Sequence, residues 1–168
     1  MDECLIYKLL DNCYQRHLKM AHHKQCENCP SDSFCPKSCA TCLRRIHFPK
    51  ELPQNAPTRH YDCHNMVDCY VCNFACRYAS ELIYPLQKQD LLARKQKLNV
   101  LSIGCGPCTD LLAIDYLKQK KIFMFDTLCY VGVDKYSDKW HVIHDYLNKR
   151  IPLRFYLVKI VMDYMPFI

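Results

Sequence analysis

A chain of 168 residues, half of them apolar and a quarter charged, has the material for one domain of moderate size or two small ones, and it is not composed like a disordered polypeptide. No apolar run is long enough to cross a bilayer, and Asp2 and Glu3 stand where a secretion signal would be basic, so the expectation is a cytoplasmic protein with no membrane partner. The formal charge of +6 is weak support for nucleic acid: two tetrathiolate zinc sites would add eight thiolate charges and two divalent ions, leaving about +2.

Fourteen cysteines without a secretion signal point to metal ligands rather than disulfides, and eleven of them precede residue 80. Ahead of the dense clusters, Leu5, Ile6, Leu9, Leu10, Cys13, His17 and Met20 recur at helical spacing and predict an amphipathic helix over residues 4–20. Cys13 and His17 read as core-facing, and His22 and His23 suit the negative end of the helix dipole.

The first cluster follows. Cys26, Cys29, Cys39 and Cys42 form two Cys-x-x-Cys pairs, the regular pattern of a structural zinc site, with Cys35 and His47 as alternative ligands. Cys35, Cys39 and Cys42 also match the Cys-x-x-x-Cys-x-x-Cys spacing of radical S-adenosylmethionine enzymes, but Thr41 stands where those usually have an aromatic residue, and a proline-rich loop follows instead of a barrel. Pro49, Pro53 and Pro57 mark an extended connector. A second zinc set then comprises Cys63, Cys69, Cys72 and Cys76, with His64 as an alternative, and the two clusters could share one ion. Ala75 to Tyr84 reads as a helix that Pro85 should end or kink, and Leu86 to Lys97 as a solvated connecting helix.

Val100, Leu101 and Ile103 form an apolar run typical of a strand buried on both faces. Gly104 and Gly106 then allow a sharp turn, Pro107 suits a first helical turn, and Leu111, Leu112, Ile114 and Leu117 have helical spacing. A helix starting behind a glycine turn presents N–H groups and positive partial charge to a nucleotide-like ligand. A second run, Leu128 to Val133, ends in Asp134, about where an acidic side chain can accept from ribose hydroxyls. Ser137 to Asn148 predicts a helix on which His141 and His144, three apart, could bind metal but read first as ordinary surface residues, and Arg154 to Met162 a third strand followed by Asp163.

Strand, Gly-x-Gly, helix, strand and Asp in this order resemble the first half of a class I S-adenosylmethionine-dependent methyltransferase. Ile-Gly-Cys-Gly-Pro-Cys-Thr-Asp-Leu-Leu looks like that family's motif I, and Tyr-Val-Gly-Val-Asp like its motif II. The resemblance covers roughly residues 98–165. It implies that Gly104, Cys105 and Gly106 lie against the methionine part of the cofactor, that Asp134 holds the ribose and that Asp163 meets the adenine. Ser102 stands where many members carry an acidic residue and Cys108 where a third glycine is common, and the family's fold needs more strands than can be placed before Ile168.

The expectation is therefore an α/β protein with a partial doubly wound, Rossmann-like sheet preceded by a small helical, cysteine-rich zinc region. Its segments would be an N-terminal helix (1–25), a zinc region (26–78), a connecting helix (79–97) and an incomplete methyltransferase-like domain (98–168). S-adenosylmethionine and zinc are the expected cofactors. The methyl acceptor and any catalytic base stay unassigned, a second chain could complete the sheet, and the chain alone is expected to be inactive or weakly active. The alternative is a zinc module for nucleic acid or a protein partner, with Tyr61, Tyr70, Phe74, Tyr78, Arg44, Arg45, Arg59 and Arg77 as stacking and cationic groups.

Overall fold

The computed structural model describes residues 4–20, 43, 46, 61, 64–88, 94–151 and 155–157. Its main elements are α1 (Leu5–Met20), α2 (His64–Lys88), β1 (Arg94–Ile103), α3 (Thr109–Gln119), β2 (Met124–Val133), α4 (His141–Asn148) and β3 (Phe155–Leu157). The architecture is mixed α/β, with a parallel sheet in the order β1-β2-β3. Two compact units divide the chain: Leu10–Phe74 form one, and Met1–Leu9 with Ala75–Ile168 the other.

In the unit formed by residues 10–74, Leu43 and Met66 are buried, and Ile46, Tyr61, Cys69, Tyr70 and Phe74 pack against them. Tyr70 meets Tyr61 edge-on at 5.5 Å between centroids and Phe74 at 5.1 Å, so these rings serve packing. A fork of two hydrogen bonds joins α1 to α2, Arg16 Nε donating to Asp68 Oδ2 at 3.1 Å and Nη2 to Oδ1. Asp68 is almost fully buried, so the guanidinium neutralises a charge that has lost its water. Cys13 is buried beside this pair and accepts from Arg16 Nη2 at 3.4 Å.

The other unit is built on the parallel sheet. Pairing of β1 with β2 runs from Arg94↔Met124 to Ile103↔Val133, and β2 pairs with β3 from Tyr130↔Phe155 to Gly132↔Leu157. Leu111, Leu112, Ala113, Ile114 and Leu117 of α3 are buried, as are Ile143, Tyr146 and Leu147 of α4. The first turns of α1 join this core: the Leu5 N–H, one of the donors a helix start leaves open, donates to Asp115 Oδ2 at 2.9 Å, and the Tyr146 hydroxyl donates to the Lys8 carbonyl at 2.8 Å.

Several expectations are corrected. Arg94 to Lys97 are extended, because their backbone pairs with the start of β2, and the helix before them ends at Lys88. That helix runs three residues past Pro85; so close to its end, the missing Pro85 N–H deprives only the Glu81 carbonyl of its partner. Pro107 precedes the N-cap residue Cys108 instead of opening α3, and α4 begins at His141, after a turn over residues 135–139. Most consequential, β1 is not buried on both faces: Leu101 is 65% and Ile103 74% exposed. Among the described residues β1 has a strand on one side only. Among them, too, no helix is long and apolar enough to cross a membrane.

Candidate functional site

The connection from β1 to α3 is a tight loop whose backbone alternates into the left-handed region at Gly104 (φ 71°), Gly106 (φ 47°) and Cys108 (φ 58°). Glycine occupies the first two at little steric cost, but Cys108 adopts a conformation L-residues resist, and it stands where the resemblance calls for a third glycine. The loop is tied to the tip of β2. The N–H groups of Gly104 and Cys105 both donate to the Val133 carbonyl (2.7 and 3.1 Å), and the Cys108 N–H closes a turn on the Cys105 carbonyl at 2.7 Å.

Asp134 follows β2 directly, and both its oxygens are engaged. Oδ2 accepts from the Gly106 N–H and Oδ1 from the Tyr136 N–H, each at 2.7 Å. Gly104, Cys105, Gly106 and Asp134, four of the expected cofactor residues, are therefore brought together at the adjacent tips of β1 and β2. Asp163, the fifth, lies outside the described residues.

Beneath the loop stands a group that sequence reasoning missed. Sγ of Cys105, Sγ of Cys108 and a ring nitrogen of His144 lie within 4.8 Å of one another, and all three residues are buried. His144 is no surface residue: it is 1% exposed, and its Nε2 is 2.7 Å from the Gly106 carbonyl. A carbonyl only accepts, so Nε2 carries the proton and Nδ1 keeps the lone pair. That Nδ1 is buried and has no hydrogen-bond partner. His141, by contrast, is exposed, with Nδ1 2.6 Å from the Asp138 carbonyl. The missed signal was the Cys105-x-x-Cys108 spacing inside motif I; nothing in the sequence pairs it with His144.

The two thiols are electrostatically unequal. Hydrogen bonding with Cys108 outweighs burial and, with the neighbouring His144, pulls the Cys105 thiol down to about 6. Cys108 is pushed well above the usual thiol range by the same Cys105 hydrogen bond, by burial and by the Cys105 charge. Tyr130, raised mainly by burial, stays a phenol and donates to Asp110 Oδ1 at 2.7 Å. Two thiols and an imidazole lone pair could hold a metal ion, and two thiols of unequal acidity could also exchange electrons.

Of the ligands expected in the cysteine-rich region, Cys26, Cys29, Cys39, Cys42 and Cys63, with Cys35 and His47, lie outside the described residues. His64 opens α2 and is exposed. Cys69, Cys72 and Cys76 lie on α2, the first partly buried and the others exposed. Among the described residues none of these joins a group of three that could hold an ion; Cys105, Cys108 and His144 do. Of the residues named for nucleic-acid stacking, Tyr61, Tyr70 and Phe74 are engaged in packing, Arg77 pairs with Glu81 at 3.2 Å, and Arg44, Arg45 and Arg59 lie outside the described residues. Compared with protein-family models, with curated proteins and with solved structures, the chain matches none of them.

Proposed function

We propose that this chain binds S-adenosylmethionine at the tips of β1 and β2 and is a methyltransferase-like protein whose sheet is the first half of a doubly wound, Rossmann-like arrangement. The observation that carries the reading is the 2.7 Å hydrogen bond from the Gly106 N–H to Asp134 Oδ2, which joins the glycine loop of the first strand to the acidic residue ending the second. The strand order β1-β2-β3, all parallel, supports it, since ligands in such sheets sit outside the carboxyl ends of the strands. In this reading the backbone of Gly104, Cys105 and Gly106 lies along the methionine part of the ligand. Asp134, an acceptor with lone pairs to spare beyond its two backbone donors, takes the ribose hydroxyls. Asp163 is assigned to the adenine by the resemblance alone, and zinc to the N-terminal cysteines by their spacing alone.

Methyl transfer needs a nucleophile aligned behind the sulfonium methyl and shielded from water, so the protein contributes mainly position and desolvation. No described residue is assigned as a base. Among the described residues β1 is paired on one side only and exposes Leu101 and Ile103, which suits a sheet with a further strand at that edge, and the chain alone is expected to transfer methyl groups poorly. Amide spectra of the isotope-labelled chain test the binding: S-adenosylmethionine should shift Gly104, Gly106 and Tyr136 together and saturably. Shifts confined to other residues, or none at millimolar ligand, would end this reading.

A further inference from the structure

We propose that Cys105 Sγ, Cys108 Sγ and His144 Nδ1 form a binding site for one thiophilic divalent cation of the zinc type, separate from any ion held by the N-terminal cysteines. Ideal tetrahedral zinc, with bonds of about 2.3 Å to sulfur and about 2.0–2.1 Å to nitrogen, sets its ligand atoms about 3.5–3.8 Å apart. The two sulfurs and a ring nitrogen of His144 already lie within 4.8 Å of one another, about 1 Å beyond the spacing a tetrahedral ion sets.

His144 is the stronger half of the argument. Its Nε2–H is fixed on the Gly106 carbonyl at 2.7 Å, the arrangement by which ligating histidines are held in the right tautomer and aimed at a metal. The opposite nitrogen, Nδ1, is then a buried lone pair with no partner, which costs about 1–3 kcal/mol unless something fills it. Two sulfurs and an imidazole favour zinc or another soft ion over magnesium or calcium. Cys108 adds a third observation: it holds a left-handed backbone conformation that glycine would adopt without strain, and that conformation sets its sulfur beside Cys105 and His144. Three protein ligands leave the fourth position of a tetrahedral ion to water or another small ligand.

A Cys-x-x-Cys pair between a strand and a helix is also the arrangement of redox dithiols. Burial decides against that use, since a dithiol that exchanges with other disulfides must present its attacking sulfur, and here Cys105 is 6% and Cys108 0% exposed. An internal disulfide would also leave His144 Nδ1 without a partner.

The site goes beyond the adenosyl reading, and its test uses no S-adenosylmethionine. The full chain is loaded with zinc, freed of excess ion and assayed for bound metal, alongside Cys108→Gly, His144→Gln and, as a control on β2, Cys129→Ser. Cys108→Gly and His144→Gln should each lose one equivalent of metal relative to the parent chain with unchanged circular dichroism, and Cys129→Ser should lose none. In the parent chain, under mild urea that opens the loop transiently, zinc should slow alkylation of Cys105 and Cys108 at least about tenfold and a chelator should restore it. The peptide-mapped alkylation decides the matter if a variant misfolds. Equal metal content in parent and folded variants, equal alkylation with and without zinc, or a Cys105–Cys108 disulfide in the zinc-treated chain would overturn the proposal.

Discussion

Gly104 shows how much of the loop depends on backbone conformation alone. A Cβ built on it meets nothing within 4 Å, yet its φ is +71°. Gly104→Ala should therefore cost about 1–2 kcal/mol in urea unfolding purely through the left-handed backbone, and a cost near zero would mean the loop relaxes to another conformation. Gly132 is the opposite case, for a Cβ there would stand 2.9 Å from Cys105 Sγ and 3.1 Å from Tyr130 Cε1. Gly132→Ala should destabilise by about 1–3 kcal/mol through overpacking, read in the same assay. Cys13 makes a prediction about pH. Burial first, then the Asp68 charge, pushes its thiol well above the ordinary thiol range, so the folded chain holds that proton after the unfolded chain has released it. Its contribution is complete below about pH 9 and declines as pH rises past that value, because the folded state then binds more protons than the unfolded. The thermal midpoint of the parent chain should fall more steeply between about pH 9 and pH 10.5 than that of Cys13→Ala. Parallel curves would remove Cys13 as the cause.

At the scale of elements, periodicity reports well on helices that bury one stripe. Leu5, Ile6, Leu9 and Cys13 are buried on α1, as their spacing implied. The strand-turn-helix-strand order around Gly104 and Gly106 was equally legible, since few residue types fit a left-handed turn. Local pattern did not reveal the start of β1 at Arg94, because that segment is polar and its extended form comes from pairing with Met124 and Phe125, 30 residues away in the register. His144 was misread for a related reason: its burial depends on the loop at Gly106, which no helical wheel contains. Arg16 and Asp68 likewise meet across 52 residues. Arg16→Ala would leave the Asp68 carboxylate buried and unpaired, and should lower stability by about 3–5 kcal/mol in chemical denaturation. Asp68→Asn, which removes the charge instead, should cost clearly less; equal losses would show that packing, not charge, dominates there.

For the molecule as a whole, the exposure of β1, which is paired on one side only among the described residues, is the feature that composition could not announce. An apolar run reads as a buried strand whatever its neighbours are, and here Leu101 and Ile103 face solvent on a strand that, among the described residues, is paired on one side only. Exposed apolar edge strands invite pairing with other chains. Leu101→Lys with Ile103→Lys should leave unfolding free energy within about 0.5 kcal/mol per site while reducing self-association in sedimentation. A large loss of stability would mean these side chains are covered.

The central claim is that the glycine loop and Asp134 together receive an adenosyl ligand, and calorimetric titration with S-adenosylmethionine tests it most directly. The parent chain and an Asp126→Ala control should bind saturably with one ligand per chain, while Asp134→Ala, still folded by circular dichroism, should bind at least about tenfold more weakly through loss of about 1.5–3 kcal/mol of charged hydrogen bonding. No saturable heat from the parent chain, or equal affinity in folded Asp134→Ala, would contradict it.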